Sequence, residues 1–346
     1  MNASLLAERL PRYRALVEDE LRVVVGAEAL PLWAWMRYHL GWEDASGAPV
    51  TSAPGKLLRP AAVLLAAEAL GTPPERAVAA AAAIELVHNF SLLHDDIEDR
   101  SERRRDRATL WTFAGVPQAI NTGDGMHTLA RLAMLRLSEH GFEAGTVLEA
   151  ARELDEACLR LVRGQHLDIA MEGSSGLTRA AYLEMASGKT AAMFAAPFAI
   201  GALLGGGDAR AVEAFRAYGQ HVGMAFQAAD DLLGIWGDPA VTGKAASDDL
   251  RQRKMTLPVI AAIEAGGEDG AALARDYASR TAASEDDRAY AALAERIERL
   301  GGRAAAAAFA AAEERTAIEA LAPLGLDGGW GAAFAEYAAL ASFRDA

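Results

Sequence analysis

The chain has 346 residues and a single cysteine, Cys158. No disulfide can form within it, which suits a reducing compartment and makes the cytoplasm its expected location. Positive charge is also scarce. The formal net charge is −14, which argues against nucleic acid as a general partner while leaving room for a local basic pocket. Long apolar runs are missing too. The opening stretch MNASLLAERLPRYRALVEDELR carries charge throughout and lacks the apolar centre of a signal peptide. The longest weakly polar run, Thr190–Gly207, is rich in Ala and Gly, and its polar helical neighbours make it a buried helix rather than a membrane span. No segment sustains period-two alternation, no repeat period emerges, and no linker is long enough to separate two domains.

What is present is helical spacing along almost the whole length. Hydrophobic residues make up 52%, enough for a substantial core and too many for a disordered chain. The pattern predicts helices over about 3–25, 29–41, 57–71, 75–98, 116–139, 145–171, 179–204, 209–236, 255–264, 269–280, 286–320 (broken near Gly301) and 329–342. Residues 1–346 therefore read as one all-α domain. The helices 75–98 and 209–236 are apolar nearly all round, as helices at the centre of a bundle are. Each of them ends in aspartates.

The first acidic end is SLLHDDIEDRSERRR (residues 91–105). Asp95 and Asp99 are four apart and share a helix face, where like charges repel unless a cation lies between them. Oxygen-only ligands with no adjacent Cys suit Mg²⁺, which takes one or two carboxylates and completes its shell with water and phosphate. Alone, the string reads more readily as a solvated helix end than as a site. His88 lies two turns before Asp95 on the same face. Arg103, Arg104, Arg105 and Arg107 follow, either as surface pairing or as a fork for phosphate. The second acidic end places Gln227, Asp230 and Asp231 on one face, followed by Asp238 and then by Lys244, Arg253 and Lys254. The acidic-then-basic order thus occurs twice. Spare charge at the end of an apolar helix is costly unless something binds there.

The ordered segments GKLLRP (55–60), ELVHNFSLLHDDIED, RRDRAT (104–109), GQHLD (164–168), GKTAAMF (188–194), FQAADDLLGIWGD and GK…DLRQRKMTLP carry a resemblance. The chain resembles a trans-isoprenyl diphosphate synthase of the polyprenyl synthetase family, with its motif-bearing core over about 55–258. The resemblance implies an isoprenoid synthase-like bundle of roughly ten or more helices around a central cavity. It implies Mg²⁺ as cofactor, three per active site with Mn²⁺ able to substitute, held by Asp95, Asp99 and Asp230. Asp96 and Asp231 would support those ligands. Arg104, Lys189 and Lys244 would contact the allylic diphosphate, whether dimethylallyl, geranyl or farnesyl. Lys56, Arg59, His88 and Arg105 would bind isopentenyl diphosphate, with Lys254 also in the substrate site. Thr190 and Gln227 would lie near the reacting carbons, and Asp168 and Asp249 would partner the lysines. A homodimer is implied as well, without a membrane span or nucleic acid.

Phe90 and Ser91, five and four residues before Asp95, stand about one helical turn of 5.4 Å away, close to one isoprene unit. Phe90 reads either as core packing or as the floor that stops chain growth. One aromatic there with a small neighbour is similar to short-chain enzymes, so C20 is favoured over C15 and C30 or longer is not expected. The sequence departs from the family pattern at Leu57, Asp106, Ala108, Gly234 and Ser247. Gly234 stands where the last Asp of the second motif is usual. Read as DDxxGxxxD, residues 230–238 also resemble a metal motif of class I terpene cyclases, which is one alternative. A non-catalytic subunit of a heteromeric synthase is another.

Overall fold

The computed structural model describes residues 4–50, 57–171, 178–238, 247–279 and 287–342. Nearly all of them are helical, and they form two compact units.

The first unit comprises Met1–Cys158, Ala196–Arg216 and Gly328–Trp330. It carries α1 (Leu5–Val25), α2 (Pro31–His39), α3 (Leu58–Ala69), α4 (Pro74–Glu98), α5 (Leu110–Ala114), α6 (Val116–Leu135) and the first part of α7 (Ala144–Met171). Local chemistry marks the helix starts. Ser4 Oγ accepts the Ala7 N–H at 3.1 Å, and α2, α4 and α6 each hold a proline in the first turn, where its missing N–H costs nothing. The centre of this unit is α4. Every residue from Ala77 to Val87 is buried, and α4 packs against α3, α6 and α1. Its alanines let the neighbours come close. At Gly123 of α6 an added Cβ would lie 2.3 Å from His94 Nε2, so a larger residue there would require the His94 ring to move.

The second unit comprises Leu159–Ala195, Ala217–Asp327 and Gly331–Ala346. It holds α8 (Arg179–Ala186), a π-helical turn Ser187–Ala191, the start of α9 (Ala192–Leu204) and most of α10 (Ala209–Trp236). After these come α11 (Asp248–Arg251), α12 (Leu257–Ala265), α13 (Gly267–Ser279), α14 (Asp287–Arg299), α15 (Gly302–Leu321) and α16 (Trp330–Ser342). The short α12 is buried from Leu257 to Ala262 and serves two apolar clusters. Leu257 and Ile260 join Tyr182, Met185, Met224 and Ala306. Val259 and Ala262 join Leu273, Leu293 and Ile297.

The helical spacing located these elements well. The expected break at Gly301 is present, with φ at 84° between α14 and α15. The Ala-rich run after Thr190 is buried helix, as expected. Several features differ from the sequence reading, among them the short helices α5 and α11, which lie outside the predicted ranges. The expected helix 179–204 is interrupted by the π turn, and the helix from 116 gives way after Leu135 to a 3₁₀ turn, Arg136–Ser138. A two-residue hairpin, β1 (Arg103–Arg104) with β2 (Arg107–Ala108), lies inside the basic segment. The first turns of α10 are apolar on one side only, since Arg210 and Glu213 are exposed. Among the described residues two helical stretches, Pro74–Glu98 and Arg179–Leu204, are long and apolar enough to cross a membrane, yet 78% and 72% of their apolar windows are buried within the protein.

Candidate active site

The sequence-predicted residues that are described fall into two groups, one in each unit. In the first unit they gather at the C-terminal end of α4 and on the hairpin. Arg104 Nε donates to Asp96 Oδ1 at 2.8 Å, and its Nη2 donates to Asp95 Oδ2 at 3.3 Å. One guanidinium therefore spans two neighbouring carboxylates. Asp96 is only 2% exposed, and its Oδ2 is buried with no hydrogen-bond partner among the described residues. Burial pushes the Asp96 carboxyl up to about 6, although Arg104 works against it. Asp99 closes the helix, its N–H donating to the Asp95 carbonyl at 2.8 Å, and its side chain is exposed.

The hairpin is what aims Arg104. Its turn residues Arg105 and Asp106 have φ of 50° and 60°, the positive pair that a type I′ turn requires. Arg107 anchors it, donating to the Tyr38 carbonyl at 2.8 Å and the Glu43 carbonyl at 2.7 Å while lying 4.1 Å over the Tyr38 ring. Tyr38 returns a hydrogen bond from its hydroxyl to the Ala108 carbonyl at 2.6 Å. Arg107 is thus a structural fastener, and Arg105 is left exposed at the tip.

Elsewhere in this unit Arg59 Nη1 lies 3.5 Å from His88 Nε2. Burial, then Arg59 and Arg105, hold the His88 imidazole well below its usual range, so it is neutral near pH 7. Phe90 is 8% exposed and meets His94 and His127 edge-on, with ring centroids 5.7 Å and 5.0 Å away. Ser91 turns its hydroxyl back to the His88 carbonyl at 2.8 Å. His39 escaped the sequence reading. Its Nε2 is buried, and burial, followed by Arg104, Arg105 and Arg107, lowers it to about 3.

In the second unit the residues gather where α7, the π turn and α10 approach closely. Glycines make the approach possible. A Cβ at Gly164 would lie 2.0 Å from the Lys189 nitrogen, and one at Gly223 would lie 2.5 Å from the Ala191 Cα. One helical turn past Gly164, Asp168 Oδ2 accepts Lys189 Nζ at 2.5 Å. One turn past Gly223, Gln227 Oε1 accepts Thr190 Oγ1 at 2.5 Å. The π turn adds a residue to the helix and so brings both Lys189 and Thr190 to this surface, a use such bulges often have. Gln227 Nε2 donates to Asp231 Oδ1 at 2.8 Å. Asp231 Oδ2 accepts both the Tyr182 hydroxyl at 2.6 Å and the Leu257 N–H at 2.8 Å. Burial pushes Asp231 up to about 7 against these three donors.

Asp230, next in the chain, is partly exposed. Lys254 is partly exposed as well, with its backbone N–H on the Asp249 carbonyl at 2.9 Å. The departure at Gly234 has a local correlate. A Cβ there would lie 1.9 Å from Asp249 Oδ2, so the Asp249 carboxylate occupies the space a side chain at 234 would need. Lys56 and Lys244 lie outside the described residues.

No group of three or more His, Cys, Asp or Glu side chains converges as a ready-made cage among the described residues. A hard cation such as Mg²⁺ takes few protein carboxylates and shares its shell with water and substrate phosphate. Asp95, Asp99 and Asp230 offer oxygen donors of that kind at accessible helix faces. Tyr182 is the contact the sequence reading missed. The available signal was a tyrosine on an otherwise apolar helix face, whose hydroxyl needs a partner when buried.

Comparison with known proteins gives a consistent result. The family model described as Polyprenyl synthetase matches residues 44–294. A (2E,6E)-farnesyl diphosphate synthase of Mycobacterium tuberculosis is 45% identical over 292 residues, covering 84% of this chain and 79% of that protein. A geranylgeranyl diphosphate synthase of the same organism is 40% identical over 278 residues, covering 80% of this chain and 78% of that one. Among solved structures, a polyprenyl synthetase from Streptomyces coelicolor A3(2) matches with a TM-score of 0.90 at 41% identity, covering 98% of this chain and 100% of that one.

Proposed function

The chain belongs to the polyprenyl synthetase family, and from that premise we propose that it is a Mg²⁺-dependent prenyltransferase joining isopentenyl diphosphate head-to-tail (1′-4) to an allylic diphosphate. At the coarser level it is a short-chain trans-prenyl diphosphate synthase. The observation that carries the finer reading is the Arg104 guanidinium spread across Asp95 and Asp96, an anion-binding fork already joined to a carboxylate face. Asp95, Asp99 and Asp230 would hold the metal, which when bound supplies positive charge to the leaving diphosphate. Arg104 and Lys189 would hold that diphosphate, with Lys244 and Lys254 completing its cationic surroundings. Lys56, Arg59 and Arg105 would hold the diphosphate of isopentenyl diphosphate, with neutral His88 packed on Arg59. Cleavage of the allylic C–O bond leaves a carbocation. The Gln227 carbonyl and Thr190 hydroxyl would face it with the negative ends of their dipoles. The apolar walls keep water away from the cation. The leaving diphosphate is the acceptor for the proton lost after C–C bond formation.

For product length we favour C20 over C15. Phe90 would act as the floor, braced edge-on by His94 and His127. A homodimer is also part of the reading. Leu148, Leu159, Val162 and Ile169 are exposed on α7 at spacings that place them on one helix face, where a second copy could cover them.

Chromatographic product analysis with each allylic primer, with and without Mg²⁺, tests the proposal. Metal-dependent growth to C20 with little C30 is expected. Phe90→Ala is expected to lengthen the product. A profile of C30 or longer from the natural chain would sink the length assignment, and hydrocarbon released from geranylgeranyl diphosphate alone would point to a cyclase instead.

A further inference from the structure

We propose that Tyr182 is a positioning residue for the reaction, fixing the orientation of the Gln227 side-chain amide through Asp231; the inference rests on the prenyltransferase reading above. The two ends of a glutamine amide have nearly the same shape and opposite hydrogen-bonding character. Something must decide which end faces the substrate. Here the decision is made behind Gln227, at a buried carboxylate.

Tyr182 is 2% exposed and Asp231 is 3% exposed. The Tyr182 hydroxyl donates to Asp231 Oδ2 at 2.6 Å, and the Leu257 N–H donates to the same oxygen at 2.8 Å. Two donors on Oδ2 fix the plane of the carboxylate and direct Oδ1 at Gln227. Oδ1 is an acceptor, so the amide must present Nε2 to it, as it does at 2.8 Å. The carbonyl end is then left for Thr190, whose hydroxyl donates to Oε1 at 2.5 Å. A flipped amide would place its NH₂ group against the Thr190 hydroxyl and leave its oxygen facing the carboxylate. The ordered chain thus runs from the Tyr182 hydroxyl to the Thr190 hydroxyl. Its front end presents oxygen lone pairs where the proposed reaction develops positive charge, the arrangement in which a preset dipole lowers a barrier.

Without the Tyr182 hydroxyl, Oδ2 keeps only a backbone donor. The carboxylate can then rotate and the amide loses its preferred sense. The ring itself touches no substrate in this scheme, so the effect should fall on turnover rather than on binding.

Tyr182→Phe keeps the ring and deletes the hydroxyl. We expect kcat for condensation to fall about tenfold, with KM for both diphosphates changed less than about twofold. In a Gln227→Ala background the same change is expected to alter kcat by less than about twofold, because the amide it orients is gone. Unchanged kcat in Tyr182→Phe, or a full additional loss in the Gln227→Ala background, would overturn the proposal. Turnover by the natural chain is the control. If it fails, the functional reading falls and this inference falls with it; if it succeeds while Tyr182→Phe is unaffected, the inference alone falls. Should Tyr182→Phe not fold, side-chain amide hydrogen exchange at Gln227 in the natural chain decides. Exchange at least about tenfold slower than in free glutamine is expected, and exchange at the free rate refutes the role.

Discussion

His39 illustrates how a single side chain can set a pH response outside the reacting groups. Its imidazole would titrate near 6.5 in the unfolded chain, whereas in the folded chain burial and Arg104, Arg105 and Arg107 lower it to about 3. Between those values the unfolded state binds a proton that the folded state refuses. The stability contribution is present above the unfolded value and is lost as pH falls toward the folded one. Asp96 acts in the other direction. Its folded value near 6 lies above the unfolded one, so its contribution is present at low pH and is lost as pH rises through 6. Asp231, pushed up to about 7, acts in the same sense as Asp96, so the His39 contribution is read as a difference: between about pH 7 and pH 4 we expect the natural chain to lose more Tm than His39→Gln does. An equal fall in both chains, measured by thermal melts across the range, would show that His39 does not contribute. Spacing states a shared face for Asp95 and Asp99 and for Gln227, Asp230 and Asp231, whereas Arg104 was singled out among its neighbouring arginines only through the family resemblance. His39 and Tyr182 were not legible, because one buried polar group on an apolar helix leaves no period to read.

At the scale of elements, helix existence was legible and helix interruption was not. Ala-rich spacing predicts helix on both sides of Ser187–Ala191, and one inserted residue does not disturb such a pattern enough to be seen. Yet that π turn carries Lys189 and Thr190. The hairpin was invisible for a different reason, since strands of two residues cannot show alternation. Its turn does have a sequence signature, in negative form. Asp106 adopts φ of 60° at a position where glycine is the favoured residue. Aspartate tolerates this backbone better than most residues, so the strain is small. Asp106→Gly is expected to raise Tm by about 1–2 °C, with a fall in Tm showing that the aspartate side chain contributes more than its backbone strain costs.

For the whole molecule, the all-α class follows from composition and spacing, and the family follows from the order of the motifs. The division into two compact units was not foreseen, because long helices such as α7 and α10 supply residues to both and no linker marks a boundary. The apolar stripe on α7 is the largest-scale feature with an unassigned partner. Leu148 and Leu159 are 67% and 72% exposed, which is unusual for leucine in such number on one helix face. Light scattering after size-exclusion chromatography is expected to give a dimer for the natural chain and a monomer for Leu159→Glu. A monomeric natural chain would remove the homodimer from the functional reading.

The contact between Gly234 and Asp249 has a historical consequence. Glycine and aspartate codons differ by one base, so the missing motif residue is a single step away. That step is made costly by the neighbour, because a Cβ at 234 would lie 1.9 Å from Asp249 Oδ2, so the Asp249 side chain would have to move and a second carboxylate of the same sign would stand beside it. Gly234→Asp alone is expected to lower Tm, while the same change made after Asp249→Ala should be tolerated, as a series of melts would reveal. If so, the order of substitutions matters in this corner of the chain. A lineage that settles on glycine at 234 and aspartate at 249 returns at lower cost when the second residue gives way before the first is regained.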